Sequence, residues 1–428
     1  MSESEVYIMI TELSAQNFKS WKNTGKLQTA PLTGFFGANS SGKTSLLQTL
    51  LMLKQTVERP PDWDGVIDFG DEDSLVNLGD FDDLIHGHRR DDPLQISISW
   101  KFSEKLNLPD VDEVDILSFQ LAINNVENST SKPSFRYRVN EQNFDLVGHA
   151  RNTCSVSTPS RSYIGAIPFR CYGIHDSDSE TLLLFSPLQT HFENLFRSIR
   201  YLGPLREYPR QHYAWQGKHS PGVGQHGEDM VTALFSGRLQ LLSIEEQIPK
   251  WLQRLDLIDS YRLNPIPNTE TGYEFLVRKY KDGPEVRLTD VGFGVSQVLP
   301  VLVLCYYVPE GSILILEQPE AHLHPKVQSE LADLLIEVVK NRRLQIILES
   351  HSEHLLIRLM RRIAEEQISA DDTAFYFCEM NEGVSEIERL NVDNYGNITN
   401  WPQNFFGDEM GDLAAKTKAE MKRRKADK

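Results

Sequence analysis

The chain has 428 residues, 40% hydrophobic and 25% charged, enough to bury one large α/β domain with insertions or two to three domains. A formal net charge of −17 argues against a surface that coats nucleic acid, because such binding rests on Lys and Arg displacing counterions; a local basic groove stays open. The longest apolar run, Val298 to Val308, contains Pro300 and is too short to span a bilayer, so no membrane partner is expected. The acidic start Met1-Ser-Glu-Ser-Glu lacks the features of a signal peptide, which makes cytoplasm the expected location. Cys154, Cys171, Cys305 and Cys378 show neither C-x-x-C nor zinc-ligand spacing and read as reduced thiols.

The opening, Ile8 to Trp21, reads as a strand running into a turn. The apolar Leu32-Thr-Gly-Phe-Phe36 then enters Gly37-Ala38-Asn39-Ser40-Ser41-Gly42-Lys43-Thr44, the G-x-x-x-x-G-K-[ST] pattern, and Ser45 continues into a helix over 43–57. Glycines at these positions let backbone N–H groups of residues 38 to 43 curl around a β-phosphate, at which the helix aims its positive end. Lys43 reaches the β- and γ-phosphates and is expected to stay exposed until phosphate arrives. Thr44 offers its hydroxyl to Mg²⁺. ATP and Mg²⁺ are the expected cofactors.

Asn77-Leu-Gly-Asp-Phe-Asp-Asp-Leu84 reads either as a segment touching nucleotide or partner, or as a polar turn with Leu78, Phe81 and Leu84 buried. Alternating segments at Gln95–Phe102, Ile116–Ile123 and Phe135–Val139 predict an antiparallel sheet. Residues 148 to 180, rich in Ser, Thr, Asp and Gly, predict an irregular insertion. Helical patterns follow at Glu180–Ser198 and Gly227–Leu255, and a hairpin at 273–289. Basic residues gather around Arg197 to Arg210, at Arg358, Arg361 and Arg362, and in the tail Lys416 to Lys428, each read first as a solvated face. Arg206 reads either as a nucleotide or nucleic-acid contact, or as a partner for the acidic surplus.

In the second half, Gly292-Phe-Gly294-Val-Ser296-Gln297 is a glycine turn opening a helix from about 295, a pattern suited to anion contact. Ile313-Leu-Ile-Leu-Glu317 is an apolar strand ending in an acid, which places a carboxylate beside the Mg²⁺ site. Gln318-Pro319-Glu320-Ala-His322-Leu-His324-Pro325 follows, then a helix over 326–340 burying Val327, Leu331, Leu334 and Leu335. A second buried strand, Leu344–Leu348, leads into Glu349-Ser350-His351-Ser352, a polar strand end where parallel sheets collect ligands, with His351 placed to sense a γ-phosphate.

With these residues in this order, the chain resembles the ABC-type ATPases, in particular the RecF, SMC and OLD-like branch of bacterial proteins, over residues 8–58 and 273–363. The resemblance implies a P-loop α/β fold with a mixed central sheet, an antiparallel β-subdomain and a helical insertion. It also implies roles: Walker A for Gly37 to Thr44, signature for Gly292 to Gln297, Walker B for Glu317, D-loop for Glu320 to Pro325 and switch histidine for His351. The corresponding boundaries are an ATPase lobe over 1–147, the insertion over 148–270, a second lobe over 271–370 and a small C-terminal domain with a basic tail over 371–428. A homodimer is implied, in which the signature turn of one subunit closes over the triphosphate on the Walker A loop of the other.

One departure stands out: the pattern usually reads Asp-Glu-Pro, with Glu as base for the attacking water, and here Gln318 holds that place. Three readings stay open: a slow ATP-clamped switch, a competent ATPase using Glu320 or another group as base, and a chain altered from Glu for trapping. Many relatives sit in anti-phage systems, which implies a separately encoded effector such as a nuclease or toxin; after His351 no Asp-x-Asp metal site of the OLD nucleases is found. The alternative is a DNA-structure-binding ATPase of repair or recombination type.

Overall fold

The computed structural model describes residues 7–402 apart from 89–91, 109–110, 127–128, 150–153, 160–161, 166–168, 175–179, 216, 218, 241–242 and 270, together with 405, 416–417 and 419–420. Its centre is a six-stranded sheet in the order Ile199–Leu202, Ile313–Glu317, Gln345–Ser350, Leu32–Gly37, Thr373–Asn381, Val384–Leu390. Five strands run parallel and the last pairs antiparallel. The strands carrying Glu317, Ser350 and Gly37 are buried at every position, as their unbroken apolar runs require of a sheet covered on both faces. Parallel pairing brings all their carboxyl ends to one edge, where the site forms.

Three strands of this sheet come from segments the sequence assigns elsewhere. Ile199–Leu202 lies in the expected insertion, and the pair Thr373–Asn381 and Val384–Leu390 lies in the expected C-terminal domain, so the boundary at 371 falls inside the sheet. Thr373–Asn381 alternates too little to stand out, because it too is buried on both faces through Phe377 and Cys378. Residues 406–415 and the basic tail 421–428 lie outside the described residues. The helical pattern over 227–255 is two helices, Met230–Leu239 and Ile244–Arg254. The expected hairpin is Gly272–Arg278 with Glu285–Arg287, and Ser260–Pro265 adds a further strand beside it.

A nine-stranded antiparallel sheet flanks the centre, built around Ile8–Phe18, Leu94–Leu108, Val111–Val126 and Ser129–Val139. Trp100, Phe119 and Tyr137 on its inner face meet Phe192 of the helix Glu180–Ser198, with Phe119 and Phe192 centroids 4.5 Å apart. Between the two sheets, the buried Gln345 side chain accepts from Ile10 N–H at 2.8 Å and donates to the carbonyls of Ile10 and Ala30. The segment 77–84 forms a short capped helix with Leu78 and Leu84 buried, and Leu84 O accepts from Lys19 N–H.

The basic cluster at Arg358 and Arg362 pairs within the chain. Asp333, on the helix Pro325–Arg342, accepts from Arg362 (2.6 and 2.7 Å), Arg358 (2.9 Å) and Arg254 (2.6 Å), joining three helices. Burial alone raises this carboxyl, but the hydrogen bonds and charges of Arg362, Arg358 and Arg254 outweigh it and hold Asp333 below its ordinary value. A depressed folded value means stability that is present above the unfolded carboxyl value, about 4, and is lost as pH falls through the folded one. Asp333→Asn is expected to destabilise by about 3 kcal/mol at neutral pH and to flatten the acid side of the stability curve, read by urea unfolding between pH 3 and 7. An unchanged midpoint at pH 7 would show that the three arginines need no common anion.

Candidate nucleotide site

The phosphate loop turns where only glycine fits. Gly37 has φ 140°, and a Cβ there would lie 2.0 Å from Cys378 O; Gly42 has φ 90°, and its Cβ would lie 2.4 Å from Ser385 Oγ. Trp21 Nε1–H donates to Gly42 O at 3.0 Å, holding the turn from below. The helix Lys43–Glu58 starts with no side-chain cap, which leaves its first N–H groups free for an anion. Ala38, Asn39 and Ser40 are exposed at the mouth, Ser41 is buried, and Ser45 Oγ is turned back onto Gly42 O at 2.9 Å.

Lys43 corrects the expectation of an exposed lysine. It is only 2% exposed, and its ammonium donates to Gly37 O (3.1 Å), Ala38 O (2.6 Å) and Ser41 Oγ (3.2 Å). These three oxygens satisfy the ammonium, which would be costly to bury unpaired. Burial lowers its pKa, against the opposing charge of Glu349.

The strand order places a second carboxylate, Glu349, between Thr44 and Glu317. The Glu349 strand lies between the phosphate-loop strand and the Glu317 strand, with Glu317 opposite Glu349 and Glu349 opposite Phe35. Thr44 Oγ1–H therefore donates to Glu349 Oε2, at 2.7 Å, and Glu317 sits one strand further out, accepting from Tyr201 O–H at 3.2 Å. Burial, then the neighbouring Glu349 charge, pushes Glu317 up to about 8. Among the described residues no group of three or more His, Cys, Asp and Glu forms a metal cage. The Thr44 hydroxyl and Glu349 carboxylate fit Mg²⁺, which takes few protein oxygens and fills its shell with phosphate and water.

Glu320 is buried, and its Oε1 accepts from Ser350 O–H and His351 N–H, each at 2.7 Å. Burial raises its pKa despite these bonds. His351 Nε2 lies 3.8 Å from Glu349 Oε1, and burial followed by the Lys43 charge holds the imidazole below its ordinary value. Gln318 takes φ 44°, unusual for a side-chain-bearing residue, while its N–H donates to Glu349 O at 2.9 Å. The left-handed bend ends the Glu317 strand and leaves Gln318 only partly covered among otherwise buried neighbours. His324 caps the next helix through Lys326 N–H, with Pro325 in its first turn.

Thus Lys43, Thr44, Glu317, Gln318, Glu320 and His351 converge on one sheet edge, joined by Glu349, Tyr201 and Arg206. Glu349 had a legible signal, a second apolar strand ending in an acid; Tyr201 had none. The signature segment stands apart: among the described residues no hydrogen bond links Gly292–Gln297 to the phosphate loop. Its turn is open, since a Cβ on Gly292 would meet nothing within 4 Å, but Ser296 and Gln297 are buried, with Ser296 O–H donating to Phe293 O at 2.8 Å. The glycines, not Ser296 or Gln297, face outward.

A family model described as "AAA domain, putative AbiEii toxin, Type IV TA system" matches residues 78–357, beginning after the phosphate loop and ending past His351. A second, "Protein of unknown function (DUF3696)", matches residues 368–415. No curated protein matches the chain. Among solved structures the chain is similar to an SMC head bound to the C-winged helix domain of ScpA, at 16% identity and TM-score 0.45, covering 90% of this chain and 98% of that one. It is similar to the SMC head domain from Thermotoga maritima at 13% identity and TM-score 0.38, covering 90% and 99%. A Pyrococcus furiosus SMC head with an extended coiled coil, bound to the C-terminal domain of ScpA, matches at 15% identity and TM-score 0.46, covering 90% and 96%. Among the described residues no helix is long and apolar enough to cross a membrane.

Proposed function

We propose a function for this chain from the premise that it belongs to the AAA-domain family whose model matches residues 78–357, and is an ATPase by family. It acts as a slow, ATP-clamped switch that dimerises around the nucleotide and controls a separately encoded effector in bacterial anti-phage defence; its family's description, which names a putative toxin and a type IV TA system, supports a setting of this kind. The observation that carries this reading is the edge where Lys43, Thr44 and Glu349 gather beside Glu317 and His351, with Gln318 at the place of the base.

On binding, Lys43 exchanges Gly37 O and Ala38 O for phosphate oxygens, and the uncapped helix start directs N–H groups at the same anion. Mg²⁺, when bound, spreads the charge of the β- and γ-oxygens. Thr44 and Glu349 would hold it, with Glu317, tied to Tyr201, as a further carboxylate beside them. Gln318 orients water by its amide but takes no proton, which slows turnover without preventing closure. His351, its imidazole held below the ordinary value by burial and then by the Lys43 charge, reports on the γ-phosphate from the next strand end.

Closure needs a second surface, which the exposed rings next to the signature turn supply. Tyr208 is 75% exposed and packs on Phe293, 38% exposed, which in turn packs on His322. ATP with Mg²⁺ is expected to convert monomer to dimer in light scattering, and ADP is not. Gly292→Arg is expected to block that conversion without lowering the melting temperature, because its side chain has open space. An assembly state indifferent to both nucleotide and this substitution counts against the sandwich. A DNA-binding reading has less support, since the net charge is −17 and Arg254, Arg358 and Arg362 are paired to Asp333.

A further inference from the structure

The strand Ile199–Leu202 runs parallel to the Glu317 strand with Leu202 opposite Leu316, so the residues that follow emerge beside the acidic edge. Gly203 N–H donates to Gln225 O and Glu207 N–H to His226 O, both at 2.8 Å, pinning the loop between them. Within it Leu205 turns outward, 72% exposed, and Arg206 turns inward, 9% exposed. The guanidinium lies in the field of Tyr201, Glu320 and Glu317. Its Nε–H and Nη1–H nevertheless hydrogen-bond to nothing, and Glu320 Oε2 is buried and unpaired as well.

Buried polar groups are nearly always paired, and an idle pair of guanidinium donors beside carboxylates is costly unless a ligand completes the site. A guanidinium stays charged and presents its N–H groups in a planar fork that matches phosphate oxygens. We propose that Arg206 is a nucleotide-contacting residue, donating through Nε and Nη1 to the terminal phosphate of ATP bound on the same chain; this rests on the nucleotide-binding reading above. It adds a second cation to that of Lys43, from the side of the edge where Glu317 and Tyr201 lie, and makes the site selective for triphosphate over diphosphate.

Calorimetric titration of the full chain with ATP and with ADP, both with Mg²⁺, tests this. Arg206→Ala is expected to weaken ATP binding by roughly 10- to 100-fold, the worth of hydrogen bonds to a charged group, and to leave ADP binding little changed. Arg206→Lys, which keeps the charge but loses the fork, is expected to fall between and provides the readout if the alanine variant does not fold. Equal loss for both nucleotides, or no loss for either, overturns the proposal. So does a purely structural effect, a lower melting temperature of the nucleotide-free variant that Glu320→Gln restores with the ATP-to-ADP ratio unmoved. Lys43→Ala separates the two levels: if it loses both nucleotides while Arg206→Ala does not discriminate, only the Arg206 assignment fails. If the unmodified chain binds neither nucleotide, the reading beneath it fails too.

Discussion

Lys43→Ala is expected to lower ATP affinity by roughly 10²- to 10⁴-fold, since two charge-assisted contacts to the β- and γ-phosphates are each worth about 1.5–3 kcal/mol. The structure also says what the substitution will not do. All three hydrogen bonds of the Lys43 ammonium end on residues 37, 38 and 41, so their loss loosens one loop and leaves the two sheets intact. The melting temperature of the nucleotide-free variant is therefore expected to stay close to that of the parent. Saturating ATP with Mg²⁺ is expected to raise the parent's melting temperature and to leave the variant's unmoved, because only a ligand that binds the folded state shifts it. Unchanged nucleotide binding by calorimetry would falsify the phosphate-loop assignment.

The second large effect concerns Gln318. Gln318→Glu is expected to raise steady-state phosphate release by roughly 10²- to 10⁴-fold, the usual worth of a positioned general base. The backbone already carries the strain of φ 44°, and a carboxylate of the same size adds none. The competing base, Glu320, is poorly suited: one oxygen is committed to Ser350 and His351, and burial favours its protonated form. Glu320→Gln is accordingly expected to leave the slow basal turnover within an order of magnitude, whereas loss of all turnover would make Glu320 the base. Fast hydrolysis in the parent, insensitive to both substitutions, would remove the clamp from the proposed function and send the search for a base to His351 or a second subunit.

Which chemistry this chain carries was legible in its residues alone. The phosphate loop, the acid after Ile313–Leu316, the departure at Gln318 and the polar strand end at His351 are short-range patterns, each written within about ten residues, and local backbone rules suffice to place them on strand ends and helix starts. The order of strands is not written that way. Thr44 meets Glu349 across 305 residues because Gln345–Ser350 pairs with Leu32–Gly37, and no periodicity within either strand names its neighbour. Tertiary structure alone decided that Glu349 stands against Thr44 and that Ile199–Leu202 and Thr373–Asn381 complete the sheet. It also decided that Lys43 is buried in its own loop, and that Arg206 reaches the acidic edge with donors unpaired. The physical reason is common to all four: burial and pairing partner are properties of the packed chain, fixed when distant strands close on one another, whereas motif and period belong to the segment itself.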